Sequence, residues 1–239
     1  MALLNDEIRG QVKELLEQMP NVVRLVFFKL PEEQCEYCGV IEELLKELAE
    51  TSDKVTVEVH SFDAEPDLVA AYGIDKAPAL AIVGQKDYGL RFFGLPANYE
   101  FSTLIHGIQA AGHGTPGQLD EATLSYLASL QQPVHYQVFV TPSCPYCPGA
   151  AALAYDMAVA SEWVRAEVVE ASEFPELAER YDVMGVPLNV INETGRVEGR
   201  APQNMIVDAI KAALVSGGRR SVWVTGGPVD NRASCRRIA

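Results

Sequence analysis

Cys144-Pro145-Tyr146-Cys147 sets two thiols three residues apart, between a strand-like run and a long apolar helix. A second pair, Cys35-Glu36-Tyr37-Cys38, stands earlier in the chain. Forty-three residues beyond the first cysteine of each pair comes a proline in an apolar setting, Ala77-Pro78 and Val186-Pro187. Thiols at this spacing suit dithiol–disulfide exchange. A cysteine at the first turn of a helix faces unpaired N–H groups and the positive end of the helix dipole, which favour its thiolate. A second cysteine three positions on shares that helical face and can attack the mixed disulfide that the first one forms. Cys35 and Cys144 are therefore the expected attackers, and Cys38 and Cys147 the expected resolving thiols. Pro145 suits a helix start, where its missing N–H costs little and its φ is preset.

The elements that must position these thiols recur in both halves. Val22 to Phe28 and Val134 to Val140 read as buried strands, each delivering its cysteines through a short loop. Val40, Ile41, Leu44, Leu45 and Leu48 mark one face of the helix after the first pair. Sliding the chain by 109 positions without a gap sets Val55 on Val164, Glu58 on Glu167, Pro66 on Pro175, Tyr72 on Tyr181 and Pro78 on Pro187. The same shift brings the cysteines into register, so the chain is a duplication. Gly112 to Gly117 is the glycine-rich stretch between periodic segments, and the boundary is expected there, between units 1–112 and 118–216. A helix is expected from Leu119 to Leu130. From Gly217 onward no periodicity remains, and 217–239, with the unpartnered Cys235, reads as a disordered tail.

Composition narrows the function classes. At 239 residues, 48% hydrophobic and 22% charged, the chain has the make-up of a soluble globular protein of two ordinary domains. A net charge of −14 argues against nucleic acid and anionic lipid as partners, since both need a basic surface. No run approaches a membrane span, and Met1 to Met19 lacks the basic start and apolar block of a signal peptide, so a cytoplasmic location is expected. Neither G-x-G-x-x-G after a strand nor G-x-x-x-x-G-K occurs. The chain should then carry no cofactor of its own, and should exchange electrons with an external reductase or a small thiol.

Strand, C-x-x-C at a helix start, strand, helix, proline before a hairpin and a closing helix together resemble the thioredoxin fold, and C-P-Y-C is similar to the glutaredoxin signature. Two such units, with Phe139-Val140-Thr141-Pro142-Ser143-Cys144-Pro145-Tyr146-Cys147-Pro148 in the second and Arg91-Phe92-Phe93-Gly94-Leu95-Pro96 closing the first, resemble the glutaredoxin-like protein disulfide oxidoreductases of thermophilic archaea and bacteria. The resemblance implies an α/β fold of two tandem units, each a four-stranded mixed sheet flanked by helices, acting on protein disulfide substrates. It implies cis bonds before Pro78 and Pro187, so that the backbone of Ala77 or Val186 can pair with an extended substrate segment beside the attacking sulfur. Thioredoxins place a buried acid six residues before that sulfur; here those positions are Lys29 and Val138.

Several of these residues also admit blander roles. Four thiolates could meet on one structural zinc, although zinc knuckles favour tight turns over helix starts. Tyr37 and Tyr146 either shape the substrate surface or simply pack. His60, His106, His113 and His135 lack metal-ligand spacing, and no metal is expected. Glu58 and Glu167, equivalent under the repeat, are candidates for the proton relay to the resolving thiol, or else solvated strand-end carboxylates. Glu32, Glu33 and Glu36 crowd Cys35 with negative charge, whereas Thr141 to Gly149 carries none, so Cys144 is expected to be the readier nucleophile. A peptide-holding chaperone, with redox chemistry secondary, is the alternative function.

Overall fold

β-Branched and aromatic runs bounded by turn residues form strands here, and apolar stripes of helical period form the helices between them. A computed structural model describes residues 3–216. The 217–239 segment and its Cys235 lie outside the described residues. The first half runs α1 (Asp6–Glu17), β1 (Val23–Lys29), α2 (Cys38–Thr51), β2 (Val55–Ser61), α3 (Pro66–Ala71), β3 (Ala79–Val83), β4 (Leu90–Phe93) and α4 (Tyr99–His113). The second repeats it as α5 (Glu121–Ala128), β5 (Val134–Val140), α6 (Cys147–Ala160), β6 (Val164–Glu170), α7 (Pro175–Arg180), β7 (Leu188–Ile191), β8 (Gly195–Glu198) and α8 (Gln203–Val215). Helix α5 is shorter than its apolar pattern because Asp120 caps it, accepting from the Thr123 N–H at 2.7 Å. Gly114, in the left-handed region at φ +66°, closes α4.

Each half contributes a four-stranded mixed sheet, and the two join into one eight-stranded sheet of order β2-β1-β3-β4-β6-β5-β7-β8. The seam is a parallel ladder between β4 and β6, from Leu90 opposite Ala166 to Phe93 opposite Val169. Only β3 and β7 run against the other strands. The C-terminal ends of β1 and β5, where the cysteine loops begin, therefore open on the same edge of the sheet.

Pairing corrects one point of the repeat. Phe28 pairs with Ala79 and Phe139 with Leu188, and both partners directly follow the prolines, so Phe28 matches Phe139 and Lys29 matches Val140. Counting back from the cysteines instead aligns Lys29 with Val138, two residues out. The first loop is longer because Glu32–Gln34 form a single 3₁₀ turn that the second loop lacks.

Helix α2 is amphipathic, burying Cys38, Ile41, Leu44, Leu45 and Leu48, whereas α6 is apolar all round. Such a helix needs cover on both sides. α6 has the sheet beneath it and α4, from the other half, packed against it. Close approach depends on Gly107 of α4, where a Cβ would lie 2.8 Å from Ile82 Cδ1 and 2.9 Å from Tyr155 Cε2. Gly107→Val should therefore destabilise the fold by about 2 kcal/mol through overpacking. A urea midpoint equal to that of the parent would show that the two helices can part without cost.

Candidate active site

In each pair the helix begins at the second cysteine. Cys38 and Cys147 are the first residues of α2 and α6, Tyr37 and Tyr146 are the N-caps, and Cys35 and Cys144 lie in the preceding loops. This shifts the expected helix start by three residues and places Pro145 in the turn, with Pro148 in the first helical turn instead. Neither capping tyrosine bonds a helix N–H through its side chain. The first-turn N–H groups are left without that cap, at the end of the helix nearest the attacking sulfur. Burial separates the two roles: Cys35 and Cys144 are 8% exposed, while Cys38 is 1% and Cys147 is 0% exposed. The first cysteine of each pair is thus the more accessible of the two. Cys35 and Cys38 are joined as a disulfide, and Cys144 and Cys147 are thiols.

Both Ala77-Pro78 and Val186-Pro187 are cis. The Val186 carbonyl oxygen accepts from Cys144 Sγ at 3.6 Å, which puts that backbone beside the first sulfur of the second pair. Ala77 and Val186 are half-buried and the prolines behind them buried. Tyr146 is 66% exposed, so it is not a packing residue; Tyr37 is half-buried, and its hydroxyl is pushed up by a hydrogen bond to the Glu36 carboxylate. Met184, two residues before Val186, is 88% exposed, whereas Asp75 stands at the corresponding place in the first unit. The mouth of the second site is apolar. That of the first, with Glu36 and Asp75, is acidic.

An acid that acts on the second dithiol is Glu100, which the sequence reading does not single out. It sits in the first turn of α4, is fully buried, and accepts from the Thr103 hydroxyl at 2.7 Å through Oε2; its Oε1 has no hydrogen-bond partner. The Tyr99 N–H donates to the Pro142 carbonyl at 3.2 Å, fastening the start of α4 to the Cys144 loop. Burial, reinforced by the Glu170 carboxyl, pushes Glu100 up to about 7. The Cys147 thiol is also pushed up, first by burial, then by its hydrogen bond with Cys144, and also by the charge of Glu100. A signal was readable: Glu100, Leu104 and Ile108 follow at spacings of four on one face, which puts a carboxyl in an apolar stripe.

Glu58 and Glu167 do not serve the cysteines. Glu58 is an exposed partner of Arg24 at 3.0 Å. Glu167 is fully buried at the seam, within 2.8 Å of Arg165, 3.0 Å of His135 and 3.3 Å of Lys76. Burial alone would raise its carboxyl, but those three groups override it and hold the carboxyl well below the ordinary range. It stays ionised in an ion cluster joining the halves.

The two sites lie four strand steps apart on the sheet edge, from β1 through β3, β4 and β6 to β5, or about 19 Å at ~4.8 Å per strand. One zinc cannot take all four thiolates across that span. Nor can the pairs exchange electrons directly, because disulfide exchange needs sulfurs in contact.

Comparison with known proteins agrees with this geometry. A thioredoxin domain family model matches residues 134–211. A solved protein disulfide oxidoreductase from Aeropyrum pernix superposes with a TM-score of 0.79 at 29% identity, covering 93% of this chain and 97% of that one. The N-terminal domain of the alkylhydroperoxide reductase AhpF from Enterococcus faecalis superposes equally well, TM-score 0.79 at 25% identity, covering 87% and 99%. Among curated relatives, the AhpF protein of Pseudomonas aeruginosa is 24% identical over 90% of this chain and 38% of its own length. An NADH dehydrogenase of Ferdinandcohnia aciditolerans is 23% identical over 95% and 40%. The chain thus spans about two fifths of those relatives. Among the described residues no helix is long and apolar enough to cross a membrane. With a C-x-x-C pair and a cis-proline in each half of one continuous sheet, the chain has a thioredoxin-like fold of two tandem units.

Proposed function

We propose that this chain exchanges dithiols for disulfides in other proteins, with Cys144 and Cys35 as attackers and Cys147 and Cys38 as resolving thiols. The observation that carries the reading is the placing of the less buried Cys144 sulfur against the Val186 carbonyl, with its partner thiol fully buried behind it. An extended substrate strand pairs with the backbone of Val186, or of Ala77 at the first site, and Tyr146 or Tyr37 borders the groove. The Cys144 thiolate attacks one sulfur of the substrate disulfide, forming a mixed disulfide and releasing a substrate thiolate that takes a proton from solvent. Cys147 passes its proton to Glu100, and its thiolate then attacks Cys144 Sγ. The products are a Cys144–Cys147 disulfide and a second substrate thiolate, which solvent protonates. Two electrons have moved from the enzyme dithiol to the substrate.

Reduction back to the dithiol comes from outside the chain, by an NADH-linked reductase of the kind named among its longer relatives or by a small thiol, in the cytoplasm. The likeness to AhpF favours a second reading, in which the recipient is the disulfide of one dedicated partner protein rather than of many substrates.

Reduction of insulin disulfides with dithiothreitol as electron source tests the proposal. The chain should accelerate it, and C35S/C144S should fall to the uncatalysed rate, because no attacking sulfur remains. If that double variant still prevents substrate aggregation while the parent shows no thiol-dependent turnover, the chain is a peptide-holding module instead.

A further inference from the structure

The proton that Glu100 receives has to leave a buried place, and Glu100 itself has no exposed surface. Glu170 is the last residue of β6, paired across from Val140, from which the Cys144 loop departs. It is 2% exposed, its Oε2 accepts from the Glu173 N–H at 2.8 Å, and its Oε1, like Glu100 Oε1, is buried with no hydrogen-bond partner. Two buried carboxyls with one vacant oxygen each, one beside the start of α4 that binds Pro142 and one paired across from Val140, are costly unless they exchange protons or water. Glu173 is half-buried and accepts from the Leu95 N–H at 2.6 Å. The Glu173 carboxylate and the stem of Glu170 meet at Gly94, at φ +98°, where a Cβ would lie 2.8 Å from Glu170 Cβ and 2.8 Å from Glu173 Oε1. A side chain at 94 would push Glu170 and Glu173 out of these positions.

We infer that Glu100, Glu170 and Glu173 form a proton relay from the buried Cys147 thiol to solvent, with Glu170 and Glu173 as its two outer stations. The inference rests on the proposed exchange reaction and extends it. Cys147 gives its proton to Glu100 as its thiolate closes on Cys144 Sγ. Glu100 hands the proton to Glu170, directly or through one water, Glu170 to Glu173, and Glu173 to bulk water, which leaves Glu100 ionised for the next turnover. The Glu170 carboxyl raises the proton affinity of Glu100 and of Glu173. Glu173 is pushed up to about 7 by burial and by Glu170 and Glu36, and Glu100 to about 7 by burial and Glu170, so the two ends are matched for transfer in either direction. Glu100 acts electrostatically on Cys147 and Tyr155 of α6, and Glu173 lies within electrostatic range of Glu36 and Tyr37 of the first site.

The test is stopped-flow kinetics of the reduced full-length chain carrying C35S/C38S, so that only the second site reports. The rate at which Cys147 resolves the mixed disulfide is compared for the parent, E170Q and E173Q at increasing imidazole. E173Q and E170Q should resolve about tenfold more slowly at pH 8, and the rate should climb with imidazole while the parent's does not. Formation of the mixed disulfide, measured with C147S added, identifies any loss belonging to the attack step instead. Because E170Q alters a buried side chain and could fail to fold, E173Q alone decides. An E173Q resolution rate equal to the parent's and independent of buffer overturns the relay. If turnover depends on Cys144 while E173Q behaves as the parent, only the relay is lost; if turnover survives C144S, the exchange reading itself is wrong.

Discussion

Replacing Glu100 by glutamine should slow turnover at the second site about 100-fold and, at alkaline pH, make the protein more stable. The first effect follows from removing the only base beside Cys147 that α4 supplies. Burial and the neighbouring Cys144 hold the Cys147 proton tightly, and a positioned general base is worth about 10²–10⁴ in rate. In the parent, resolution should rise as pH climbs through about 7, where Glu100 becomes able to accept a proton; E100Q should lose that inflection. The second effect has the opposite sign because the same group is strained in its ionised form. A carboxyl whose folded pKa is raised, here to about 7 from 4.5, contributes stability that is fully present below about 4.5 and lost as pH rises through about 7. The shift corresponds to an upper bound of about 3 kcal/mol, reduced by the amide left partly unpaired in the variant. Melting temperatures of E100Q and parent should therefore differ by several degrees at pH 8 and converge at about pH 5. A residue that merely packs would lower both activity and stability, so a lower melting temperature at pH 8 would remove Glu100 from the mechanism.

How far the sequence could be read depended on whether both partners of a feature lay in one repeat. The cysteine pairs and the cis-prolines were legible because each unit carries its own copy at the same spacing, and a chance match would not bring two prolines and four cysteines into register together. The sheet of each half was legible for the same reason. That the two halves share a single sheet follows from the β4–β6 ladder, and neither strand looks different in sequence from one that ends a sheet. The offset of β1 against β5 was hidden by one 3₁₀ turn in a loop, where length varies without changing the strands it joins. Neither sequence reading of Glu167, as proton relay or as solvated strand-end carboxylate, foresees its ion cluster, because the cations arrive from separate elements, Lys76 after α3, His135 on β5 and Arg165 on β6. Glu100 escaped notice because it serves the other unit's cysteines. The stretch of sequence around Cys144 contains no acid, while the apolar side of α4 holds one.

Cys147→Ser should abolish steady-state turnover at the second site and trap what the parent releases. With no second thiol on the face of α6, the mixed disulfide between Cys144 and substrate has no internal attacker, and the fully buried serine hydroxyl cannot take that role. The first site cannot rescue it if its sulfurs stay with strands about 19 Å apart by strand count at ~4.8 Å per strand. The most direct measurement is therefore intact-mass spectrometry of C35S/C38S/C147S after incubation with a disulfide-bonded protein, followed by mapping of the adduct. Dithiol exchange through Cys144 predicts one covalent substrate adduct per chain, on Cys144, released by dithiothreitol and missing when Cys144 is also serine. No adduct under conditions where the parent reduces the same substrate, or an adduct mapped elsewhere than Cys144, would contradict it.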